Sequence, residues 1–305
     1  MTMISGTGVT KAWGLTPVLG GVDFQVDEGI TGLLGSNGAG KTTLMGMILG
    51  LHPPDSGDLD VLGLSPADAG PEVRARIGYS PEHHTLPPDV SAHDLVRHVA
   101  EIHGLPRRAA TNRSSDALWQ VGLGEERYRP IGTMSTGQRQ RVKLAQAIAH
   151  DPLLVLADEP TDGLDPVQRD AMLELIRRVS DEYGISVLLS SHLLEEVERT
   201  CDAAVILAEG QVVAQGRLDD LQAGGVGIIV VVDDGAEALA ARLARYDVDV
   251  DGSRLRVSAR DGADDETLLD EVRDAVAELR LPLRQLKANR ISLEEVFLDM
   301  SGGAR

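Results

Sequence analysis

Residues 35–42, GSNGAGKT, combine glycines with a lysine and a threonine at a spacing that could bind phosphate. They fit G-x-x-x-x-G-K-S/T and lie between an apolar run, residues 30–34, and a segment from Lys41 to Leu51 with helical apolar spacing. Glycines let successive backbone N–H groups turn toward phosphate oxygens, and a helix that begins here adds its own N-terminal N–H groups. The pattern predicts a loop for the phosphates of a nucleotide.

The side chains of this loop differ in the chemistry they can supply. We expect Lys41 to neutralise the β- and γ-phosphates, Thr42 to offer a hydroxyl to Mg²⁺, and Thr43 to reach the α-phosphate. The whole predicted contact set is Gly35, Ser36, Asn37, Gly38, Ala39, Gly40, Lys41, Thr42 and Thr43. The alternative is an ordinary glycine-rich strand-to-helix turn, which a lone G-x-G-x-x-G would favour but this fuller pattern does not.

Two consecutive carboxylates, Asp158 and Glu159, directly follow an apolar run at residues 153–157. Charges at the end of a buried strand are costly unless they have a function. We expect Asp158 to hold the shell of a Mg²⁺ ion through a water, and Glu159 to orient or deprotonate an attacking water. The alternative is a solvated pair that caps the next segment, which the presence of the phosphate loop disfavours.

A small polar turn in MSTGQRQR, residues 134–141, is predicted to begin an amphipathic helix. The N-terminus of such a helix can receive a phosphate, but one nucleotide cannot use two helix starts that lie far apart in one chain. We therefore expect Ser135, Gly137 and Gln138 to bind the nucleotide of a second subunit. Taken in isolation, an N-capped surface helix is an equal alternative.

The elements that must position these residues follow from the apolar periodicity. Short strands separated by turns are predicted for residues 1–35, and strand-like and helix-like segments then alternate around a mainly helical stretch. This order predicts an α/β fold with a largely parallel sheet and a helical subdomain at about residues 84–150. A reset near residue 225 begins the order strand, helix, strand, strand, helix, strand, with a last helix, which predicts a small α+β, ferredoxin-like domain. We expect two domains, residues 1–224 and 225–305.

Composition and charge limit the classes of protein to which the chain can belong. With 305 residues, 42% of them hydrophobic, the chain can bury a core for each of two domains. A net charge of −19 without clustered lysine or arginine argues against nucleic acid as a partner. Neither a membrane-spanning apolar run nor a secretory leader is evident, so we expect a cytoplasmic or membrane-peripheral protein. The single cysteine, Cys201, excludes an internal disulfide and is interpreted as structural.

In their order along the chain, these motifs resemble those of the ATP-binding cassette (ABC) ATPases over roughly residues 3 to 222. The resemblance implies a P-loop NTPase fold of the ABC type, a mixed sheet with a RecA-like core and the helical subdomain. It also implies ATP and Mg²⁺ as cofactors, and hydrolysis of ATP. The family signature is usually L-S-G-G-Q, and MSTGQ has Thr136 where glycine is usual, a variant found in the exporter branch.

Three further residues match positions that the family uses. Trp13 precedes the phosphate loop, where the family places an aromatic ring that stacks on adenine. Asp165 matches the loop that crosses the dimer interface, and His192 matches the histidine that contacts the γ-phosphate and helps hold the catalytic geometry. The alternatives are a tryptophan half-buried at a sheet edge, a helix N-cap before Pro166, and a cap or core histidine.

Glu82, in IGYSPEHH, departs from the family pattern, which commonly has a glutamine there that senses Mg²⁺ and the attacking water. A carboxylate can still approach the metal, but it adds negative charge where phosphate charge is concentrated. We therefore expect Glu82 to act at the metal and nucleotide and to tune coupling without abolishing hydrolysis. The adjacent His83 and His84 lack an evident third ligand and are interpreted as solvated loop residues.

The resemblance also implies partners. Two copies of this subunit, as a homodimer, would hold ATP between the phosphate loop of one and residues 135–138 of the other. An integral membrane permease encoded separately would contact the region of residues 82–94, so the chain would lie on the cytoplasmic side of the cell membrane. The tail, residues 226–305, resembles the extension of ABC-2 exporter cassettes, with a stability or dimerisation module without a ligand as the alternative.

Two other functions fit parts of the pattern. The main alternative is a soluble, non-transport cassette ATPase that acts on another macromolecular complex. Its ribosome-acting relatives typically carry two cassettes in one chain, and its DNA-repair relatives carry long coiled coils, neither of which is present here. A kinase or GTPase would require neither residues 134–141 nor His192. The sequence therefore favours the ATP-hydrolysing subunit of an ABC transporter, with export preferred by analogy.

Overall fold

Strands and helices alternate along the part of the chain that the computed structural model describes, residues 1–83, 85–223, 227–258 and 265–289. The strands are β1 (Thr2–Trp13), β2 (Thr16–Asp27), β3 (Ile30–Leu34), β4 (Ser56–Val61), β5 (Ile77–Ser80), β6 (Leu154–Asp158), β7 (Ser186–Ser191), β8 (Ala203–Ala208), β9 (Gln211–Arg217), β10 (Gly227–Val232), β11 (Asp247–Asp251), β12 (Arg254–Ser258) and β13 (Leu283–Asn289). The helices are α1 (Lys41–Ile48), α2 (Gly70–Arg74), α3 (Ala92–Ile102), α4 (Arg107–Gln120), α5 (Thr136–Ile148), α6 (Pro166–Tyr183), α7 (Leu194–Thr200), α8 (Leu218–Ala223), α9 (Ala236–Arg242) and α10 (Asp265–Glu278). Short 3-10 helices at Glu125–Tyr128 and Ile131–Thr133 precede α5.

The first strands form an antiparallel sheet in the order β2-β1-β4. Alternate residues from Val22 to Val26 are buried, as the apolar alternation in β2 predicts. The prediction of several short strands over residues 1–35 is wrong, because β1 and β2 each run for 12 residues. Gly8 and Gly21 have positive φ, and the β1–β2 register shifts beside them. These glycines therefore make irregularities within long strands instead of turns between short ones.

The second sheet holds the predicted site. Its order is β5-β6-β7-β3-β8-β9, and all neighbours are parallel except the edge strand β9. Every residue of β3, β6 and β7 is buried, as in a sheet with both faces covered. The carboxyl ends of parallel strands meet at one edge, so the phosphate loop, Glu82, Glu159 and His192 are brought to that edge. The predicted α/β fold with a largely parallel sheet is confirmed.

A mainly helical stretch separates β5 from β6, as predicted. Helices α3, α4 and α5 pack against one another, and α5 also packs on β5. The backbones of β5 and α5 come so close that a methyl group at Gly78 would overlap the carbonyl oxygen of Ala147. Glycine is thus the residue that lets α5 lie directly against the strand that leads to Glu82.

A second compact unit begins at Leu218. From β10 it follows the predicted order strand, helix, strand, strand, helix, strand, and its antiparallel sheet has the order β11-β12-β10-β13. Its core contains apolar residues of the sheet together with Leu239 and Leu243 from the segment of α9 and Val272 from α10. This arrangement is the one expected of a ferredoxin-like domain.

The predicted domain boundary after residue 224 stays a prediction, because residues 224–226 lie outside the described residues. The first compact unit ends at Arg217, a few residues earlier. The predicted last helix, which ends near residue 300, also lies outside the described residues. Within the described ranges, the chain has no helix that is long and apolar enough to span a bilayer.

We expect Gly78→Ala to destabilise the first unit by about 1–3 kcal/mol, because the added methyl group would force α5 away from β5. Both tryptophans, Trp13 and Trp119, belong to this unit, so the denaturant dependence of tryptophan fluorescence reports its unfolding. Gly70→Ala is the control, since Gly70 begins helix α2 without a positive φ and its methyl group would meet only the flexible end of the Arg74 side chain. A midpoint for Gly78→Ala equal to that of the wild type would contradict the close packing of β5 and α5.

Candidate nucleotide-binding site

A pocket of about 620 Å³ opens where the parallel strands end. It is lined by Val18, Ser36, Asn37, Gly38, Gly40, Lys41, Thr42, Thr43, Glu82, Asp158, Glu159, Asp162 and His192. Most of the residues predicted to act on a nucleotide in one chain are thus brought together. Val18 and Asp162 were not predicted, because neither belongs to a spacing pattern.

The phosphate loop has the backbone shape that an anion site needs. Gly38 and Gly40 have φ of 87° and 107°, a region that side chains disfavour, and the N–H of Ala39 donates to the carbonyl of Ser36. At Gly35 a methyl group would lie 2.6 Å from the carbonyl oxygen of Leu207. Helix α1 begins directly after the loop and has no side-chain cap at its N-terminus. Its first N–H groups therefore suit an anion in the pocket.

Lys41 is buried at the base of this loop. Its ammonium donates to the carbonyl of Gly35 at 2.6 Å and lies 3.5 Å from Oε1 of Glu159. The positive charge is thereby fixed between the phosphate loop and the end of β6, where it faces the pocket.

Glu159 stands between a cation and an imidazole. Its side chain is only 9% exposed, with Oε1 near Lys41 and Oε2 at 2.8 Å from Nδ1 of His192. Because the carboxylate accepts, Nδ1 of His192 is the donor, and the other ring nitrogen, Nε2, is available to a ligand. The backbone of Glu159 has φ of 44°, a strained value for this residue type, and its N–H donates to Oγ of Ser190 at 3.0 Å.

Asp158 receives two hydroxyl groups that the sequence did not predict. Its Oδ1 accepts from Oγ of Ser190 at 2.7 Å, and its Oδ2 accepts from the hydroxyl of Tyr79 at 3.4 Å. Burial, together with the charge of Asp158, raises the pKa of Tyr79 to about 12. Ser190 thus holds both carboxylate residues, since it donates to Asp158 and accepts from the backbone of Glu159.

A buried carboxylate beneath the pocket ties together the segments that follow β6 and β7. Oε2 of Glu196 accepts from Oγ1 of Thr161 at 3.0 Å and from Oγ of Ser191 at 2.7 Å. Its Oε1 lies 3.2 Å from Nε of Arg169. Thr161 follows Glu159 and Ser191 precedes His192, so Glu196 links the two segments that carry Glu159 and His192. No spacing pattern along the chain indicates this role for Glu196.

Seven predicted residues do not line the pocket. They are Trp13, Gly35, Ala39, Ser135, Gly137, Gln138 and Asp165. Gly35 and Ala39 are buried within the loop itself. Ser135 and Gln138 form a reciprocal capping box at the start of α5, and Asp165 caps α6 by accepting from the N–H of Gln168. Ser135 and Asp165 therefore do act as helix N-caps. An N-cap residue can also contact a second subunit.

Trp13 lies beside the pocket, next to the lining residue Thr43. Its ring is 48% exposed and meets the ring of His52 edge-on, with centroids 4.8 Å apart. Its Nε1 is 3.5 Å from Oγ1 of Thr43, and the ammonium of Lys11 is 5.3 Å from its centroid. The indole is thus oriented by its neighbours while nearly half of its surface stays accessible.

The residues predicted to hold Mg²⁺ supply oxygen donors to the pocket. Thr42 offers a hydroxyl, and Asp158 and Glu82 offer carboxylates. Mg²⁺ prefers hard oxygen ligands and takes only a few of them from the protein, because waters and substrate phosphates fill the rest of its coordination shell. The residues present therefore fit this ion together with a nucleotide.

Comparisons with known proteins agree with this geometry. The family profile described as ABC transporter matches residues 19–162. The chain is 32% identical to the linearmycin resistance ATP-binding protein LnrL of Bacillus subtilis (strain 168), over 98% of each chain. It is also 32% identical to the Nod factor export ATP-binding protein I of Ralstonia nicotianae, over 98% of this chain and 94% of that protein. The solved structure of cbiO1 from Clostridium perfringens, described as part of the ABC transporter complex cbiONQ, has a TM-score of 0.67 at 25% identity, covering 80% of this chain and 96% of that one.

We expect Tyr79 to ionise late in an alkaline titration, near pH 12, because burial and the charge of Asp158 oppose its phenolate. The raised pKa means that its stabilising contribution is complete below pH 10 and is lost between pH 10 and about pH 12. Phenolate absorbance during an alkaline titration measures this step. Tyr79→Phe should remove the late step, whereas Tyr183→Phe should leave it. Loss of an early step in Tyr79→Phe would contradict the contact with Asp158.

Proposed function

The chain belongs to the ABC transporter family as one of its ATP-hydrolysing subunits, and we propose that it powers export through a separate membrane permease. Relatives named for linearmycin resistance and for Nod factor export match nearly its full length. That match includes the tail after residue 226, which the sequence already associates with exporter cassettes. The soluble, non-transport alternative has no support among these relatives.

The observation that carries the proposal is the convergence of Lys41, Glu159 and His192 beside the uncapped start of α1. The loop N–H groups and Lys41 bind the β- and γ-phosphates of ATP and stabilise the charge that develops on them. Glu159 polarises the attacking water and accepts its proton. His192 holds Glu159 through Nδ1 and contacts the γ-phosphate through Nε2.

Mg²⁺ fits this pocket as the companion of ATP. Thr42, Asp158 and Glu82 would hold the ion, with Asp158 acting through a water and itself held by Ser190 and Tyr79. The ion would supply charge neutralisation at the phosphate oxygens. The support for this assignment is that all three oxygen donors line the same pocket as Lys41.

A second copy of the chain completes the site in our proposal. The turn at Ser135, Gly137 and Gln138 begins α5 but does not line the pocket of its own chain. In a head-to-tail homodimer this turn would meet the γ-phosphate bound by the other copy, and Asp165 would lie in the loop between the copies. Trp13 would stack on adenine with its accessible surface.

The permease would contact the segment from Glu82 to Asp94, on the cytoplasmic side of the membrane. This segment leaves the pocket at Glu82 and leads into α3, so a displacement at the nucleotide would be transmitted to it. The relative cbiO1 is described as part of a transporter complex, which is compatible with such a partner. The net charge of −19 argues against nucleic acid.

Lys41→Ala should weaken ATP binding by roughly 10–100-fold, because charge-assisted bonds to the phosphates are lost. Equilibrium binding of labelled ATP in magnesium buffer measures the effect. Lys287→Ala, which removes an exposed lysine of the second unit, should leave the affinity unchanged. Wild-type affinity in Lys41→Ala would overturn the assignment of the phosphate loop.

Glu159→Gln should lower the hydrolysis rate by roughly 10²–10⁴-fold while ATP binding persists, because the amide cannot accept the proton of water. ATP should therefore drive this variant into a dimer that sedimentation velocity detects. Glu174→Gln, on the exposed face of α6, is the control and should hydrolyse ATP at the wild-type rate. Rapid hydrolysis by Glu159→Gln would exclude Glu159 as the base. A slow variant that stays monomeric with saturating ATP would exclude the shared site.

A further inference from the structure

A lysine on α5, Lys143, is buried against the segment that carries Glu82. Its ammonium donates to the carbonyl of Glu82 at 2.7 Å and to the carbonyl of Pro81 at 3.1 Å. These two carbonyls belong to the segment that follows β5 and enters the pocket. Lys143 thus holds the backbone of this segment through two hydrogen bonds.

This lysine has no ion-pair partner among the described residues. Its side chain is nearly inaccessible, and burial lowers its pKa, whereas the charges of Asp162 and Glu82 act to raise it. Burying an ammonium without a paired carboxylate is costly, and an apolar residue would avoid that cost at this packed position. The two carbonyls must therefore supply the compensation, which fixes their position relative to α5.

The helix that carries Lys143 also contacts a second segment that lines the pocket. Gln140, one turn earlier, donates from Nε2 to the carbonyl of Asp162 at 3.2 Å. Asp162 and Glu82 both line the pocket. Helix α5 therefore contacts both the Glu82 segment and the Asp162 segment, and it begins at the Ser135 turn.

We propose that Lys143 is a positioning residue that sets where Glu82 stands in the pocket and links it to the helix that begins at Ser135. This inference rests on the proposed function, because Glu82 and Ser135 act on nucleotide only there. A shift of α5 at the Ser135 turn would move the Glu82 segment directly, because the Lys143 side chain links the helix to backbone carbonyls of that segment. Contact of a second copy with the Ser135 turn would then change the positions of the Glu82 and Asp162 segments in the pocket.

Lys143→Met retains the length and apolar stem of the side chain and removes the ammonium. The Lys143 ammonium donates to Pro81 and Glu82 and not to any described residue of the phosphate loop, so we expect ATP affinity in equilibrium binding to change by less than about twofold. The maximal hydrolysis rate should fall by about tenfold, because a displaced group near the reacting atoms costs rate before it costs binding. Gln146→Met, on the same helix, is the matched control and should match the wild type in both measurements.

A second substitution separates positioning from simple support of the fold. If Lys143 acts by placing Glu82, then in a Glu82→Ala background Lys143→Met should lower the rate by less than about twofold further. Fully multiplicative losses in the double variant would overturn the proposal. Lys143→Arg keeps the charge and the donors and should retain most of the wild-type rate. This variant tests the proposal if Lys143→Met fails to fold. An Arg variant as slow as a folded Met variant would also count against it.

The outcome for the wild type distinguishes this inference from the function on which it rests. A wild-type chain that neither binds nor hydrolyses ATP would overturn both. An active wild type whose rate is unaffected by Lys143→Met would overturn the role of Lys143 alone.

Discussion

The site depends on one buried carboxylate that is held in a strained backbone conformation. Glu159 adopts a positive φ, and its side chain lies between Lys41 and His192. A strained backbone persists only where several contacts hold it in place. Here the N–H of Glu159 donates to Oγ of Ser190, and its carboxylate contacts Lys41 and His192. Glu159 follows β6, and its side-chain partners follow β3 and β7, so this arrangement depends on three strands that are adjacent and parallel.

The pocket is supported from beneath by charged groups that do not line it. Glu196 joins the segments after β6 and β7, and Lys143 joins α5 to the segment after β5. Buried charges are expensive, and each of these is matched by several polar partners. The support is therefore directional: hydrogen bonds fix the loops more narrowly than apolar packing of the same volume would.

The sequence was most informative where chemistry and spacing coincide. The phosphate loop, the paired carboxylates after β6, the parallel sheet and the order of strands and helices along the tail could all be predicted, because local periodicity and short motifs encode them. Ser190, Tyr79 and Glu196 could not, since single hydroxyls and a lone carboxylate acquire their roles only from contacts between distant segments. Short strands were wrongly predicted at the start of the chain because a glycine within a strand and a glycine in a turn have the same appearance in a sequence.

The capping box at the start of α5 restricts what its serine can recognise. The oxygen of Ser135 already accepts the N–H of Gln138, and the side-chain oxygen of Gln138 accepts the N–H of Ser135. Each of these two side-chain oxygens therefore already accepts one hydrogen bond, whereas the hydroxyl of Ser135 and the amide NH₂ of Gln138 can still donate. The capping box therefore leaves more donor than acceptor capacity at this turn, which favours a ligand that accepts hydrogen bonds over one that donates them.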